Sequence, residues 1–142
     1  MDIKDIKYVE KFPTPAQYNS LSEAVGWGTR EESIIEEAFK NTLYSLCVYK
    51  EDVLIGYGRI IGDKTIFLYF HDLKVLPKYQ NQGIGTEIMK RLLKQVDEYK
   101  KVNPRIRTYL GAAKDKEGFY EKFGFERRPN EDVGAGMILY DK

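Results

Sequence analysis

Residues 65–100 read TIFLYFHDLKVLPKYQNQGIGTEIMKRLLKQVDEYK, and the fold is decided there. The first twelve residues form a nearly continuous apolar run, which marks a strand covered on both faces and therefore central in a sheet. After Pro77 comes a glycine-containing turn. Beyond it Ile84, Ile88, Met89, Leu92, Leu93, Val96 and Tyr99 recur at helical spacing with polar residues between them, which predicts an amphipathic helix over 83–100. Lys100 and Lys101 suit its negative end, and Asn103-Pro104 stops it. Residues 106–112 then read as a second strand. A crossover of this length joins neighbouring, parallel strands.

Working outward, residues 44–50 and 53–61 are rich in Leu, Val, Tyr and Ile around Glu51-Asp52 and predict a hairpin. Residues 2–9 alternate weakly, as an edge strand does. Pro13 and Pro15 suit the entry to a helix running toward Trp27, and Thr29 is placed to cap a second helix carrying Ile34, Ile35, Ala38 and Phe39. Residues 117–123 read as a short helix ended by Gly124, with 125–128 and 136–140 as a terminal hairpin or paired strands. The class is α+β, a mixed α/β domain, and no linker or repeat divides it.

With 142 residues, 42% of them hydrophobic and 32% charged, the chain has the composition of one globular domain. Twenty-three Lys and Arg balance twenty-two Asp and Glu, so no overall field favours nucleic acid or an anionic membrane. One cysteine, Cys47, and one histidine, His71, argue against a disulfide or a protein-ligated metal. Cys47 lies in an apolar strand and reads as core. The longest apolar run in the chain, residues 66–70, is far short of a membrane span, and the amino-terminal residues lack the apolar core of a signal peptide; the expectation is a cytosolic protein.

The chemistry concentrates where the central strand enters Gln80-Asn81-Gln82-Gly83-Ile84-Gly85-Thr86. The first amides of a helix have no internal partner, its dipole places about half a positive charge there, and glycines let phosphate oxygens reach the backbone. The turn lacks the Lys-Ser/Thr of a P-loop and the third glycine of a dinucleotide fingerprint. Either the glycines serve an anion site or they only permit a tight turn.

In this context the stretch resembles the signature of the GNAT superfamily of acyl-CoA-dependent N-acyltransferases, Gln/Arg-x-x-Gly-x-Gly/Ala after a central strand, with Gln80, Gly83 and Gly85 in those places. The similarity extends to YLGAAKDKEGFYEKFGF at 109–125 and covers residues 43–128 well. It implies a mostly antiparallel sheet of six or seven strands with a splayed parallel pair, flanked by about four helices. It further implies acetyl-CoA as co-substrate, with the backbone of Leu73, Lys74 and Val75 pairing with pantetheine. Gln80, Gln82, Gly83, Ile84, Gly85 and Thr86 would form the diphosphate turn, and Phe119 and Tyr120 would lie along the cofactor.

By the same resemblance Tyr120 sits beside the thioester sulfur and helps the thiol leave; the alternative is a core aromatic packed with Phe119, Phe123 and Phe125. The family's usual early-strand carboxylate is replaced here by Phe67, Leu68 and Tyr69. His71 and Asp72 are the nearest titratable candidates for the base, a water chain is the other, and strand alternation lets only one of the pair face substrate. Trp27 is a candidate wall of the acceptor pocket, or a core tryptophan. The leading expectation is transfer of acetyl to a primary amine of a small molecule or peptide, without metal, nucleic acid or membrane. The alternative is a non-catalytic acetyl-CoA sensor or interaction module. The segment 134–137 is a candidate edge for a homodimer.

Overall fold

In the computed structural model, which describes residues 5–140, five strands form one sheet in the order β1-β2-β3-β4-β5. β1 (Ile6–Glu10), β2 (Tyr44–Lys50), β3 (Val53–Gly62) and β4 (Phe67–Val75) are successive antiparallel neighbours, and β5 (Arg107–Leu110) lies beyond β4. The chain falls into two compact units, one ending at Tyr109 and the other beginning at Leu110.

In the first unit the sheet is covered on both faces. Helices α1 (Pro15–Ala24) and α2 (Glu32–Lys40) take one face, where Tyr18, Leu21 and Ile35 pack with Cys47, Tyr49, Leu54 and Tyr57. Tyr18 meets Phe39 and Tyr57 edge-on, with ring centroids 5.8 and 6.0 Å apart. Cys47 is fully buried and donates to the Lys11 carbonyl at 3.2 Å; burial pushes its thiol up to about 11, so it stays protonated and packs as a core residue.

Helix α3 (Ile84–Lys100) takes the other face and buries Ile84, Ile88, Met89, Leu92 and Val96, the stripe its periodicity predicts. Gly56 and Gly58 of β3 lie under it. A Cβ at Gly58 would stand 2.9 Å from the Ile88 side chain, so the glycine sets how closely helix and sheet approach.

β5 starts at Arg107, whose amide donates to the Ile66 carbonyl at 3.1 Å, and it runs for four residues. At roughly 3.3 Å per residue it reaches only the first half of the nine-residue β4. From about His71 onward the outer edge of β4 extends past it.

Two expectations need correction. The second helix starts at Glu32, after Glu31, whose side chain makes no capping bond, and not at Thr29. The cap that does form is Thr14, in a reciprocal box with Gln17 that opens α1. Among the described residues the sheet has five strands rather than six or seven, because residues 125–128 and 136–140 carry no strand and Met137, Ile138, Leu139 and Tyr140 are exposed. The part of the expected edge strand at residues 2–4 lies outside the described residues. Among the described residues no helix is long and apolar enough to cross a membrane.

In the second unit a short helix, α4 (Glu117–Glu121), is followed by Gly124 in the left-handed region at φ 95°. Phe119 packs edge-on against Tyr120 and Phe123, and Tyr120 against Phe125, with centroids 5.1 to 6.4 Å apart.

Candidate functional site

The alternation of β4 breaks at its middle. Asp72 adopts φ 61°, a left-handed conformation that aspartate tolerates better than most residues. The register with β3 shifts there: Tyr57 faces Lys74 and Arg59 faces His71, so Asp72 and Leu73 together oppose Gly58. This is a β-bulge, which bends a strand and re-aims its side chains. His71 and Asp72 consequently turn to the same side, against the expectation that only one of them could.

That side faces α1, and a buried ionic cluster fills it. The Asp72 carboxylate, 3% exposed, accepts from Tyr18 Oη at 2.8 Å and Arg59 Nε at 2.8 Å, and lies 3.4 Å from Lys74 Nζ. Burial alone would raise its pKa. The hydrogen bond from His71 and the charges of Lys74, His71 and Arg59 outweigh burial and hold the carboxyl well below the usual range. Asp72 is therefore a fixed anion at neutral pH, a poor proton acceptor and a strong organiser.

Lys74 is the second buried charge. Its ammonium donates to Ser22 Oγ and lies 4.3 Å from the Tyr18 ring centroid and 4.7 Å from that of Trp27. Burial lowers its pKa and Asp72 pulls it back up. Desolvated cation–π contacts of this kind are worth about 2 kcal/mol. Trp27, half-exposed, thus closes over Lys74. The backbone of Leu73, Lys74 and Val75 continues on the half of β4 that β5 does not reach.

His71 is the exposed member of the cluster. Its Nδ1 lies 3.0 Å from Arg59 Nη2 and 3.3 Å from Asp72 Oδ2. Arginine only donates, so a ring bonded to Arg59 has its proton on Nε2; a ring protonated at Nδ1 donates to Asp72 and leaves Nε2 as a lone pair. The second tautomer is the one competent to take a proton.

Beside this cluster lies a cavity of about 220 Å³, lined by Tyr18, Arg30, Ile34, Ile35, Ala38, Phe39, Arg59 and His71. Trp27 is not among its walls. Sequence reasoning missed Tyr18, Arg30 and Arg59. Arg59 was nonetheless visible as a lone cation in the apolar strand VLIGYGRIIG, and a charge so placed requires a buried counter-ion.

The turn before α3 is the other half of the site. Asn81 and Gly83 both take left-handed φ values, 63° and 86°. α3 begins at Gly83 without a side-chain cap, and its first backbone bond is Glu87 to the Gly83 carbonyl. The amides of Ile84, Gly85 and Thr86 therefore precede the helical ladder. A Cβ at Gly83 would meet nothing within 4 Å, so the backbone is open to a ligand's oxygens. Gln80 and Gln82 brace the turn, donating from their amide nitrogens to the Val75 and Lys78 carbonyls at 2.9 and 3.2 Å. The residues present fit a diphosphate.

In the second unit Tyr120 is half-buried, and burial raises its phenol above the ordinary value, so it stays protonated at neutral pH.

Comparisons with known proteins give the family and the fold. Residues 21–141 match the family model described as an acetyltransferase (GNAT) domain. An uncharacterized N-acetyltransferase, ycf52, of Porphyra purpurea is 30% identical over 132 residues, covering 89% of this chain and 71% of that protein. A protein of unknown function from meticillin-resistant Staphylococcus aureus, described as a probable acetyltransferase, superposes with a TM-score of 0.83 at 31% identity, over 95% of this chain and 99% of the other. A GNAT family acetyltransferase from Elizabethkingia anophelis, with acetyl-CoA bound, shares the fold at TM-score 0.62 and 18% identity, over 87% of this chain and 78% of the other. The chain spans 48% and 65% of the length of two further curated relatives.

Proposed function

Since this chain belongs to the GNAT acetyltransferase domain family, we propose that it is an N-acetyltransferase, moving acetyl from acetyl-CoA to a primary amine by direct attack in a ternary complex. The observation that carries the proposal is the pairing of an open, uncapped helix turn with a central strand bulged and bared just before it. The acetyl-CoA bound to the Elizabethkingia relative supports the choice of co-substrate.

Acetyl-CoA, when bound, supplies the activated acyl group. The amides at Gly83, Ile84, Gly85 and Thr86 hold its diphosphate, with Gln80 and Gln82 keeping the turn in shape. The β4 backbone at Leu73, Lys74 and Val75 pairs with the pantetheine arm and orients the thioester. An ammonium group has no lone pair, so the acceptor must lose a proton before it attacks. His71 Nε2 takes that proton, directly or through water, while Asp72 orients the ring through Nδ1. Tyr120, with Phe119 beside it, supplies a proton to the departing sulfur.

Two measurements test the reading. Acetyl-CoA at 100 times its dissociation constant should add about 2.7 kcal/mol of stability, read as a rise in melting temperature; a folded protein that shows no rise refutes the cofactor site. Free-CoA release with a panel of amines then separates transfer from sensing. Binding without release for any acceptor would favour a non-catalytic module, a reading that the replaced early-strand carboxylate keeps open.

A further inference from the structure

Two arginines line the cavity beside His71, and they are held differently. Arg59 is committed: Nε bonds Asp72, Nη1 bonds Thr42 Oγ1 at 3.0 Å, and Nη2 meets His71. Arg30 is different. Its backbone is clasped by the Asn19 carboxamide, which accepts from the Arg30 amide at 2.9 Å and donates to its carbonyl at 2.8 Å. Yet among the described residues its guanidinium has no carboxylate within ion-pair reach. An arginine with a pinned backbone and an uncommitted fork, at the edge of a part-apolar cavity, is built to receive an anion.

Beyond the polar groups of Tyr18 and His71 the lining is apolar: Ile34, more than half exposed, then Ile35, Ala38 and Phe39. At about 220 Å³ the space is smaller than the 300–1,000 Å³ typical of drug-sized ligands, and so admits a small molecule. A positive wall also opposes the ammonium form of a bound amine and so favours its neutral, attacking form.

We propose that the acceptor is a small amino carboxylate with an aliphatic or aromatic body, such as an apolar amino acid. Arg30 holds its carboxylate, and Ile34, Ala38 and Phe39 hold its side chain. The proposal rests on the acetyl-transfer reading and adds the substrate class to it. It also makes Arg30 a binding residue that no resemblance assigned.

The test is direct titration of the chain alone, by calorimetry, with matched N-acetyl compounds that differ only in the carboxylate: N-acetylphenylalanine against N-acetylphenethylamine, and N-acetylleucine against N-acetylisopentylamine. The carboxylate member of each pair should bind about tenfold or more tightly, as a charge-assisted bond requires. Arg30→Gln should erase that difference and leave the neutral member's affinity unchanged, and Arg30→Lys should restore part of it. An unchanged melting temperature in both variants shows that the fold is retained.

Equal affinities within a pair overturn the proposal, as does discrimination that survives Arg30→Gln, or absence of binding at concentrations on the order of 10 mM. Because no CoA is present, the result is independent of the cofactor test. Acetyl-CoA stabilisation without carboxylate preference sinks only this inference; carboxylate preference without acetyl-CoA stabilisation sinks the transfer reading.

Discussion

Asp72 is the residue on which the site turns. Its low-lying carboxyl is anchored by Tyr18, Arg59 and Lys74, so its stabilising effect is fully present above the unfolded value of about 3.9 and is lost as pH falls from there toward the folded value. Asp72→Asn keeps a side chain that tolerates φ 61° but strands Arg59 and Lys74 as uncompensated charges. A loss of about 3–5 kcal/mol is expected in urea unfolding, together with a flatter stability profile below pH 4. His71→Gln should lower turnover about 10²–10⁴-fold while acetyl-CoA still raises the melting temperature. Tyr120→Phe should likewise lower turnover far more than it weakens acetyl-CoA binding; unchanged turnover, with chemistry rate-limiting, removes its role. At this scale the sequence shows which residue types are available. It cannot show that His71, Asp72 and Lys74 converge, because the bulge overrides the two-residue period from which facing is read.

At the scale of elements, α3 and the hairpin of β2 and β3 were the most legible parts. Seventeen residues of α3 repeat one apolar stripe, and the hairpin turns within a residue of the expected ends. Gly58 reports how the helix meets the sheet. Gly58→Ala presses a methyl group into Ile88 and should cost about 1–3 kcal/mol in thermal or urea unfolding. Gly83 separates two effects. Gly83→Val forces a β-branched residue to φ 86° and also fills the ligand's approach, whereas Gly83→Asn tolerates the backbone and tests approach alone. Near-normal stability with weakened acetyl-CoA binding in Gly83→Asn is the expected result, and unchanged affinity would assign the glycine to the turn only. The misplaced start of α2 has a local cause: Thr29 has the right side chain, but Asn19 of α1 clasps the neighbouring Arg30 backbone and the helix begins after it.

For the whole molecule, a net charge of +1 supplies little overall field, so an anion would be drawn by local groups. The apolar tail tells a different story. Residues 136–140, expected to pair in a terminal hairpin, form no strand, and Met137 and Leu139 are 96% and 97% exposed. An apolar run describes what a segment can pair as, and pairing needs a partner edge. Leu139→Gln removes no contact and should leave the melting transition within about 0.5 kcal/mol of the parent.

The central strand, the long helix and the glycine turn between them are legible in the chain alone, because local periodicity and backbone freedom are properties of neighbouring residues. The facing of His71 and Asp72, the counter-ions of Arg59 and Lys74, and the cavity that Arg30 borders emerge on folding. Each of those depends on groups from α1, β3 and β4 that lie many residues apart in the chain, so packing brings them together and no spacing rule records it.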